Sequence, residues 1–298
     1  MTELVQCVPN FSEGRRPDVV EAIVEAVKAV PGVRLLDYSS DYDHNRSVVT
    51  FVGDRQAVGE AAFRAAAKAA ELIDMRLHHG GHPRMGAADV IPFIPVSGLS
   101  MEDCVELARS TGERIARELG IPVYLYEEAA TRPERRNLAD VRRGEYESLA
   151  ARLDDSCQAP DFGPARFNAS AGATAVGARR PLVAFNVNLN TGDLKIARKI
   201  ALAIREKSGG LTNVKAMGVL LADRKQAQVS MNLVDCDATP VYRVVELIKS
   251  EAARYGVTVA STEIVGLIPL KYILDATAYY LQLDGFSHDQ VLEKKIFF

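Results

Sequence analysis

Stretches with apolar residues at helical spacing are interspersed with short, continuously apolar runs along this chain. Residues 17–30 have the helical spacing, and Pro31 and Gly32 end it. Asp54 is a candidate N-cap for the alanine-rich helix that follows. The patterns predict further helices at residues 101–119, 194–206 and 241–255, and strands at residues 4–9, 33–38, 47–52, 90–96, 122–126, 182–189, 214–221, 227–233 and 257–261.

The predicted elements of the second half follow the order strand-helix-strand-strand-helix-strand. This is the split βαβ, or ferredoxin-like, order, and residues 1–96 can be read in the same way. We therefore predict an α+β protein of two subdomains, 1–178 and 179–298. Each is an open β-sheet with helices packed on it.

Proline and glycine set further limits on this layout. Pro92 and Pro95 lack the N–H that a central strand donates, so they would confine the strand at 90–96 to a sheet edge. Residues 131–144 include five arginines, and residues 160–177 are rich in glycine, proline and alanine. Both segments are predicted to be loops over the scaffold.

Composition places the chain among soluble globular proteins. It has 298 residues, of which 48% are hydrophobic and 25% charged, and its net charge is −3. This charge favours neither nucleic acid nor an acidic membrane as partner. We expect neither a signal peptide nor a membrane-spanning helix. The four cysteines are widely spaced, as expected for reduced thiols in the cytoplasm.

Three of the five histidines, His78, His79 and His82, lie within five residues. Glycines and Pro83 surround them, which predicts a loop. Three interpretations stay open: a metal site, solvated histidines without a role, and an acid/base site. We favour acid/base chemistry by His82, whose backbone Pro83 restricts, with Arg84 available to hold an anion.

Other segments suggest binding chemistry of their own. Residues 172–179 have two glycines at phosphate-loop spacing but lack the following Lys-Ser/Thr, and no GxGxxG occurs, so no nucleotide cofactor is predicted. Residues 161–167 combine aromatic rings with glycine and proline, either as a packed loop or as a wall for a flat ring system. Arg46 begins a strand, where it is either part of a structural turn or an anion contact.

Several motifs together resemble glutamate formiminotransferase. They are distributed over essentially the whole chain, in the order found in that family. They are Cys7-Val8-Pro9-Asn10-Phe11-Ser12-Glu13-Gly14, Asn45-Arg46, His82-Pro83-Arg84-Met85-Gly86-Ala87, Asp89-Val90, Pro122-Val123-Tyr124-Leu125-Tyr126, Arg143-Gly144-Glu145-Tyr146-Glu147, Ala159-Pro160-Asp161-Phe162-Gly163-Pro164, Gly172-Ala173-Thr174, Ala184-Phe185-Asn186 and Leu267-Ile268-Pro269-Leu270.

The resemblance implies transfer of a formimino group from N-formimino-L-glutamate to N5 of tetrahydrofolate in histidine breakdown. Tetrahydrofolate is then a co-substrate, and neither metal nor nucleotide is needed. The family's catalytic histidine corresponds to His82. We also expect a cytoplasmic homodimer that binds these small molecules, with any cyclodeaminase on a separate chain. The folate-binding segment corresponds to Gly163, Pro164, Ala165, Arg166, Phe167, Asn168, Ala169, Ser170, Ala171 and Gly172.

The chain departs from the family pattern in two places. Residues 168–171 read Asn-Ala-Ser-Ala where relatives more often have a proline and a tryptophan, which bears on how the pterin stacks. The stretch 39–43 differs from the Asp-rich pattern of animal members. Whether Asp37, Asp41 or Asp43 serves the site stays open.

Roles for the remaining polar residues follow from the implied reaction. Arg84 and Arg46 are candidates for the substrate carboxylates, and Asn10 and Asn188 could donate hydrogen bonds to a tetrahedral adduct. We expect the cleft between the two halves to hold the substrates. Formyl transfer from 5-formyltetrahydrofolate to glutamate, a metal-dependent hydrolase and a non-catalytic folate-binding protein are the alternatives.

Overall fold

A computed structural model describes residues 3–221 and 224–297 of the chain. They form two compact units, Met1–Arg179 and Arg180–Phe298. Each unit is a β-sheet with helices packed on it, which confirms the predicted α+β class. Within the described ranges, no helix combines the length and apolar character needed to cross a membrane.

The first unit contains a seven-stranded mixed sheet. β1 and β2 share one position in it, interrupted at Val8 and Pro9, and both pair antiparallel with β4 on one side and β5 on the other. β3 extends the sheet beyond β4, while β7 and β6 continue it in parallel beyond β5. The strands are β1 (Leu4–Cys7), β2 (Asn10–Phe11), β3 (Arg34–Asp41), β4 (Arg46–Gly53), β5 (Ala88–Ser97), β6 (Val123–Glu127) and β7 (Thr174–Ala178).

The prediction that prolines confine β5 to a sheet edge is wrong, because β5 lies between β1/β2 and β7. The Pro92 carbonyl accepts a hydrogen bond from Val8 N at 3.4 Å. Proline cannot return a bond to the Val8 carbonyl, which instead accepts from Asn10 Nδ2 at 3.0 Å. A side chain thus supplies the donor that the ladder lacks, and the proline is tolerated in the sheet interior.

Helices cover both faces of this sheet. Asp54 accepts from Ala57 N, as predicted, and the structure adds a capping box formed by Ser100 and Asp103. One face is covered by α1, α2 and α3, and the opposite face by the shorter α4 and α5, where Leu149 packs with the tyrosines of β6. The helices are α1 (Pro17–Lys28), α2 (Arg55–Leu72), α3 (Met101–Leu119), α4 (Leu138–Val141) and α5 (Glu145–Asp154).

Two predicted loops contain regular structure. Residues 131–144 include α4, and the end of the segment 160–177 is β7, every residue of which is buried. β7 is short and rich in alanine and glycine, so it lacks the alternation or β-branched run by which strands are recognised in a sequence. Its small side chains allow the neighbouring β6 to pack closely, since a Cβ at Gly177 would overlap the Tyr126 ring.

The second unit has the predicted ferredoxin-like order. Its four strands lie in the order β11-β8-β10-β9 and every neighbouring pair is antiparallel. Alternate residues of β8, among them Val187, face a core shared with α6 and α7. The elements are β8 (Val183–Leu189), α6 (Leu194–Ile204), β9 (Val214–Leu221), β10 (Gln226–Leu233), α7 (Val241–Ala253), β11 (Val259–Val265), α8 (Leu270–Leu281) and α9 (Leu292–Phe297); α8 and α9 were not predicted.

Candidate active site

The histidine-rich segment is a loop between α2 and β5, as predicted. The turn between β3 and β4 holds it through Asn45, which adopts φ +49°, a conformation that asparagine tolerates. Asn45 Nδ2 donates to the His79 carbonyl at 3.0 Å, and Asn45 Oδ1 accepts from Gly14 N at 3.0 Å. A Cβ at Gly80 would overlap the His44 carbonyl, so glycine is required for this close approach.

His78 is a buried part of this scaffold. Its Nδ1 accepts from Arg84 Nε at 3.3 Å, and its Nε2 lies 2.9 Å from the Asn45 carbonyl. This pairing assigns the neutral tautomer with the proton on Nε2. Burial, together with the charge of Arg84, lowers the pKa of His78. We therefore interpret His78 as a structural histidine.

The structure does not bring the three histidines together as ligands. His78 is buried and uses both ring nitrogens, whereas His79 is exposed. Among the described residues, no group of three histidine, cysteine or carboxylate side chains is placed to hold a metal ion.

His82 is partly buried in a strongly cationic environment. Its ring lies edge-on to that of His44, with ring centroids 6.3 Å apart. Burial lowers the pKa of His82 to about 3, and the charges of Arg46, Arg142 and His44 act in the same direction. His82 is therefore neutral at physiological pH in the free protein, which leaves its ring able to accept a proton.

The two arginines beside His82 differ in their side-chain partners. Arg142 forms an ion pair with Asp89, which also accepts a hydrogen bond from Met85 N at 2.8 Å. The Arg46 side chain makes no hydrogen bond or ion pair with any residue in the described part of the chain, and its Nε is buried without a partner. Burial first, and then the charge of Arg142, lower the pKa of Arg46 to about 10.

Arg84, in contrast, is committed to carboxylates of the protein. It is buried and pairs with Glu145 at 2.8 Å and with Glu147 at 2.5 Å. Glu145 adopts φ +54°, which is uncommon for this residue and lies at the start of α5. Arg84 and both glutamates line a shallow depression of about 410 Å³ on the same side of the loop as His79.

The predicted folate segment packs directly against the histidine loop. Ala87 N donates to the Ala171 carbonyl at 2.9 Å, and Ala173 N donates to the Met85 carbonyl at 3.1 Å. Gly172 has φ +69°, and a Cβ there would overlap the Met85 carbonyl oxygen. The structure thus joins two segments that the sequence only suggested separately.

The first residues of this segment are exposed to solvent, whereas its later residues are held by packing and hydrogen bonds. Residues 163–166 are exposed, and the Phe167 ring packs against Tyr146 with centroids 5.4 Å apart. Tyr146 OH donates to the Ala169 carbonyl, and Asn168 Oδ1 accepts from Ala171 N at 3.0 Å. The departure from the family pattern at 168–171 therefore forms a local turn, next to exposed backbone that a ligand can reach.

The remaining candidates, Asn10 and Asn188, lie in different surroundings. Asn10 is in β2, and Ser12, two residues later, donates hydrogen bonds to the Gly86 and Ala87 carbonyls of the histidine loop. Asn188 lies in the second unit, where it is buried and hydrogen-bonded to Gln228 and Ser261.

Among the three candidate aspartates, the Asp41 side chain pairs at 2.9 Å with His44, whose ring lies beside that of His82. Burial raises the pKa of Asp41, but hydrogen bonds from His44 outweigh it and the net shift is downward. Asp43 contributes a carbonyl to Gly81 N, and Asp37 lies in β3 opposite Thr50.

The sequence patterns did not identify Arg142 and His44 as neighbours of His82, or Asp89 as the partner of Arg142. Arg142 is one of five arginines in a predicted loop, and Asp89 belongs to a motif, but no local spacing joins residues 53 positions apart. Their proximity follows from β5 starting at the end of the histidine loop and α4 folding back onto the sheet.

Comparison with known proteins agrees with this arrangement. Residues 4–179 match the "Formiminotransferase domain, N-terminal subdomain" and residues 184–296 the "Formiminotransferase domain". The chain is 52% identical to the "Glutamate formimidoyltransferase" of Streptococcus pyogenes serotype M1, covering 99% of both chains. The Thermoplasma acidophilum protein of the same name is 52% identical over 98% of this chain and 97% of its own length.

A longer relative matches over part of its length. The "Formimidoyltransferase-cyclodeaminase" of Rattus norvegicus is 48% identical over 94% of this chain, which covers 53% of the rat protein. These matches confirm the family indicated by the sequence motifs. The chain belongs to the formiminotransferase family and contains both subdomains of the transferase domain.

Proposed function

We propose that this protein is an enzyme that transfers the formimino group of N-formimino-L-glutamate to N5 of tetrahydrofolate. The products are 5-formiminotetrahydrofolate and L-glutamate, and the reaction belongs to histidine degradation. The observation that carries this proposal is the 52% identity, over nearly the whole of both chains, to a protein named glutamate formimidoyltransferase. We divide the transferase domain into two subdomains, 1–178 and 179–298.

We assign the proton transfers to His82. N5 attacks the formimino carbon, a new C–N bond forms, and His82 accepts the proton that N5 loses. The tetrahedral adduct then breaks its bond to the glutamate nitrogen, and His82 returns the proton to that nitrogen. Such a positioned acid/base group contributes roughly 10²- to 10⁴-fold. His82 is neutral in the free protein, so its ring has a lone pair for this proton, but the surrounding positive charges make it a weak base until an anion compensates them.

Holding both substrates in register supplies much of the remaining acceleration, on the order of 7–11 kcal/mol. Tetrahydrofolate is the co-substrate, and we place it along residues 163–172, whose first residues are exposed and whose end packs against the histidine loop. Arg46 is our candidate for a donor carboxylate because it is partly buried and its Nε has no hydrogen-bond partner among the described residues. Arg84 already pairs with two glutamates, so we assign it to shaping the loop.

Asn10 and Asn188 stay candidates for donating to the adduct. Each side-chain amide donates one hydrogen bond within the described residues and has a second N–H. We also propose a cytoplasmic homodimer without a bound metal. The free thiols of Cys7, Cys104, Cys157 and Cys236 agree with a reducing compartment.

The proposal is tested by mixing the purified protein with N-formimino-L-glutamate and tetrahydrofolate and following the product by absorbance and mass. We expect product from the native protein and from His79→Ala, and little from His82→Ala. His79 is the matched control because it lies exposed in the same loop. Product from formyl donors alone would contradict formimino transfer, and full turnover by His82→Ala would remove His82 from the mechanism.

A further inference from the structure

Two arginines and one carboxylate share the space beside His82. Asp89 is the counter-ion of Arg142, and its second oxygen is used by a backbone N–H. Arg46 lies close enough to both residues for their charges to shift its pKa, yet its side chain has no partner of its own among the described residues. The charges of Asp89 and Asp41 act on Arg46, but neither carboxylate bonds to it, so the cluster contains a guanidinium whose buried Nε–H is unsatisfied.

A guanidinium N–H buried without a partner is costly because its lost hydration is not replaced. An incoming anion would replace that hydration. Arginine also favours planar oxyanions, because its guanidinium presents several N–H donors in a fixed fork that matches a carboxylate. Asp89 orients Arg142 and so fixes one side of such a pocket before a ligand arrives.

We propose that Arg46 and Arg142 together bind the α-carboxylate of the formimino donor and so select donors derived from α-amino acids. This inference rests on the proposed function. The α-carboxylate is attached to the same carbon as the nitrogen that His82 protonates, so it must lie near His82 during the reaction. The γ-carboxylate lies further along the side chain, and the carboxylates of folate lie beyond its aminobenzoyl group.

The test compares two donors, N-formimino-L-glutamate and 4-(formiminoamino)butanoate, which lacks only the α-carboxylate. In the native enzyme we expect kcat/KM to be at least about 100-fold higher for the glutamate donor, as for a site built to hydrogen-bond the missing group. In Arg46→Met this ratio should collapse toward unity, while KM for tetrahydrofolate stays close to the native value.

Two further variants complete the design. Arg142→Lys keeps the ion pair with Asp89 but loses the planar fork, and it should reduce the donor ratio about 10-fold or more. Arg143→Met is the matched control, because Arg143 is exposed and pairs with Asp140 in its own turn. It should leave the donor ratio at the native value.

A measurement without chemistry separates binding from turnover. L-glutamate should raise the melting temperature of the native protein, 4-aminobutanoate should not, and Arg46→Met should respond to neither. If the native enzyme transfers from neither donor, the proposed function itself is wrong. If it transfers from glutamate but folded Arg46→Met keeps the native donor ratio, only the carboxylate pocket is refuted. Should Arg46→Met not fold, Arg46→Lys takes its place: a reduced donor ratio supports the pocket, and a native ratio refutes it.

Discussion

Replacing Arg46 by methionine should make the free protein more stable. Burial and Arg142 lower the pKa of Arg46 from 12.5 to about 10, and 2.5 pKa units correspond to about 3 kcal/mol of unfavourable free energy for the charged form. Because the pKa in the folded state is the lower one, the whole penalty acts at neutral pH. It disappears only as the pH rises from about 10 to 12.5.

Methionine has an apolar side chain of similar length. We expect imperfect repacking to cancel about 1 kcal/mol of the gain in stability. The net effect is about 2 kcal/mol in the free energy of unfolding. For a unit of this size that corresponds to roughly 4–8 °C in melting temperature. Urea unfolding at pH 7.5, in a buffer without carboxylates or other strongly bound anions, measures it directly.

The neighbouring arginine provides the contrast. Arg142→Met should destabilise the protein by about 3–5 kcal/mol, because it leaves the buried Asp89 without its counter-ion. The two substitutions thus have opposite signs although the residues share one cluster. An Arg46→Met protein that is less stable than the native one in the absence of anions would refute the reasoning, since Arg46 would then have a stabilising partner.

Three further predictions concern the loop and its surroundings. The pKa of His82 lies near 3 when folded and near 6.5 when unfolded, so native stability falls as the pH drops through this window. At pH 4.5 the native protein should have lost about 2–3 kcal/mol more of its free energy of unfolding than His82→Gln, measured by urea unfolding. Gly172→Ala should cost about 2 kcal/mol or more and raise KM for tetrahydrofolate, whereas Gly209→Ala, with positive φ but open space around its Cβ, should cost less. Dialysis against EDTA should leave turnover within about twofold, because a positioned acid/base group moves the protons, and a larger loss would indicate a metal.

Local patterns were sufficient for the long amphipathic elements. The helix predicted at 101–119 matches α3, and Asp54 caps α2, because apolar spacing and capping are properties of neighbouring residues. The second unit followed for the same reason, since its strands β8 and β10 place alternate apolar residues against the helices. β5 was predicted at the wrong position in the sheet, and β7 was predicted to be part of a loop. The positions of both strands depend on partners that are distant in the sequence.

In the candidate site, too, local patterns indicate some features, and others depend on contacts between distant residues. His82 and the segment from Gly163 to Gly172 could be selected from motifs, and the loop conformation from glycine and proline. The roles of Arg84 and Arg46 could not be separated, because both are single arginines beside polar residues. Arg84 forms ion pairs with Glu145 and Glu147, whereas Arg46 has no such pair among the described residues and its buried Nε lacks a hydrogen-bond partner.

That difference links donor selection to catalysis. The same charges that attract an anion lower the proton affinity of His82 in the free protein. A carboxylate bound to Arg46 and Arg142 would cancel part of this effect, so His82 becomes a stronger base when the donor is in place. The cost of leaving Arg46 unpaired in the free protein then has a function, because it makes the strength of the base depend on the presence of the substrate.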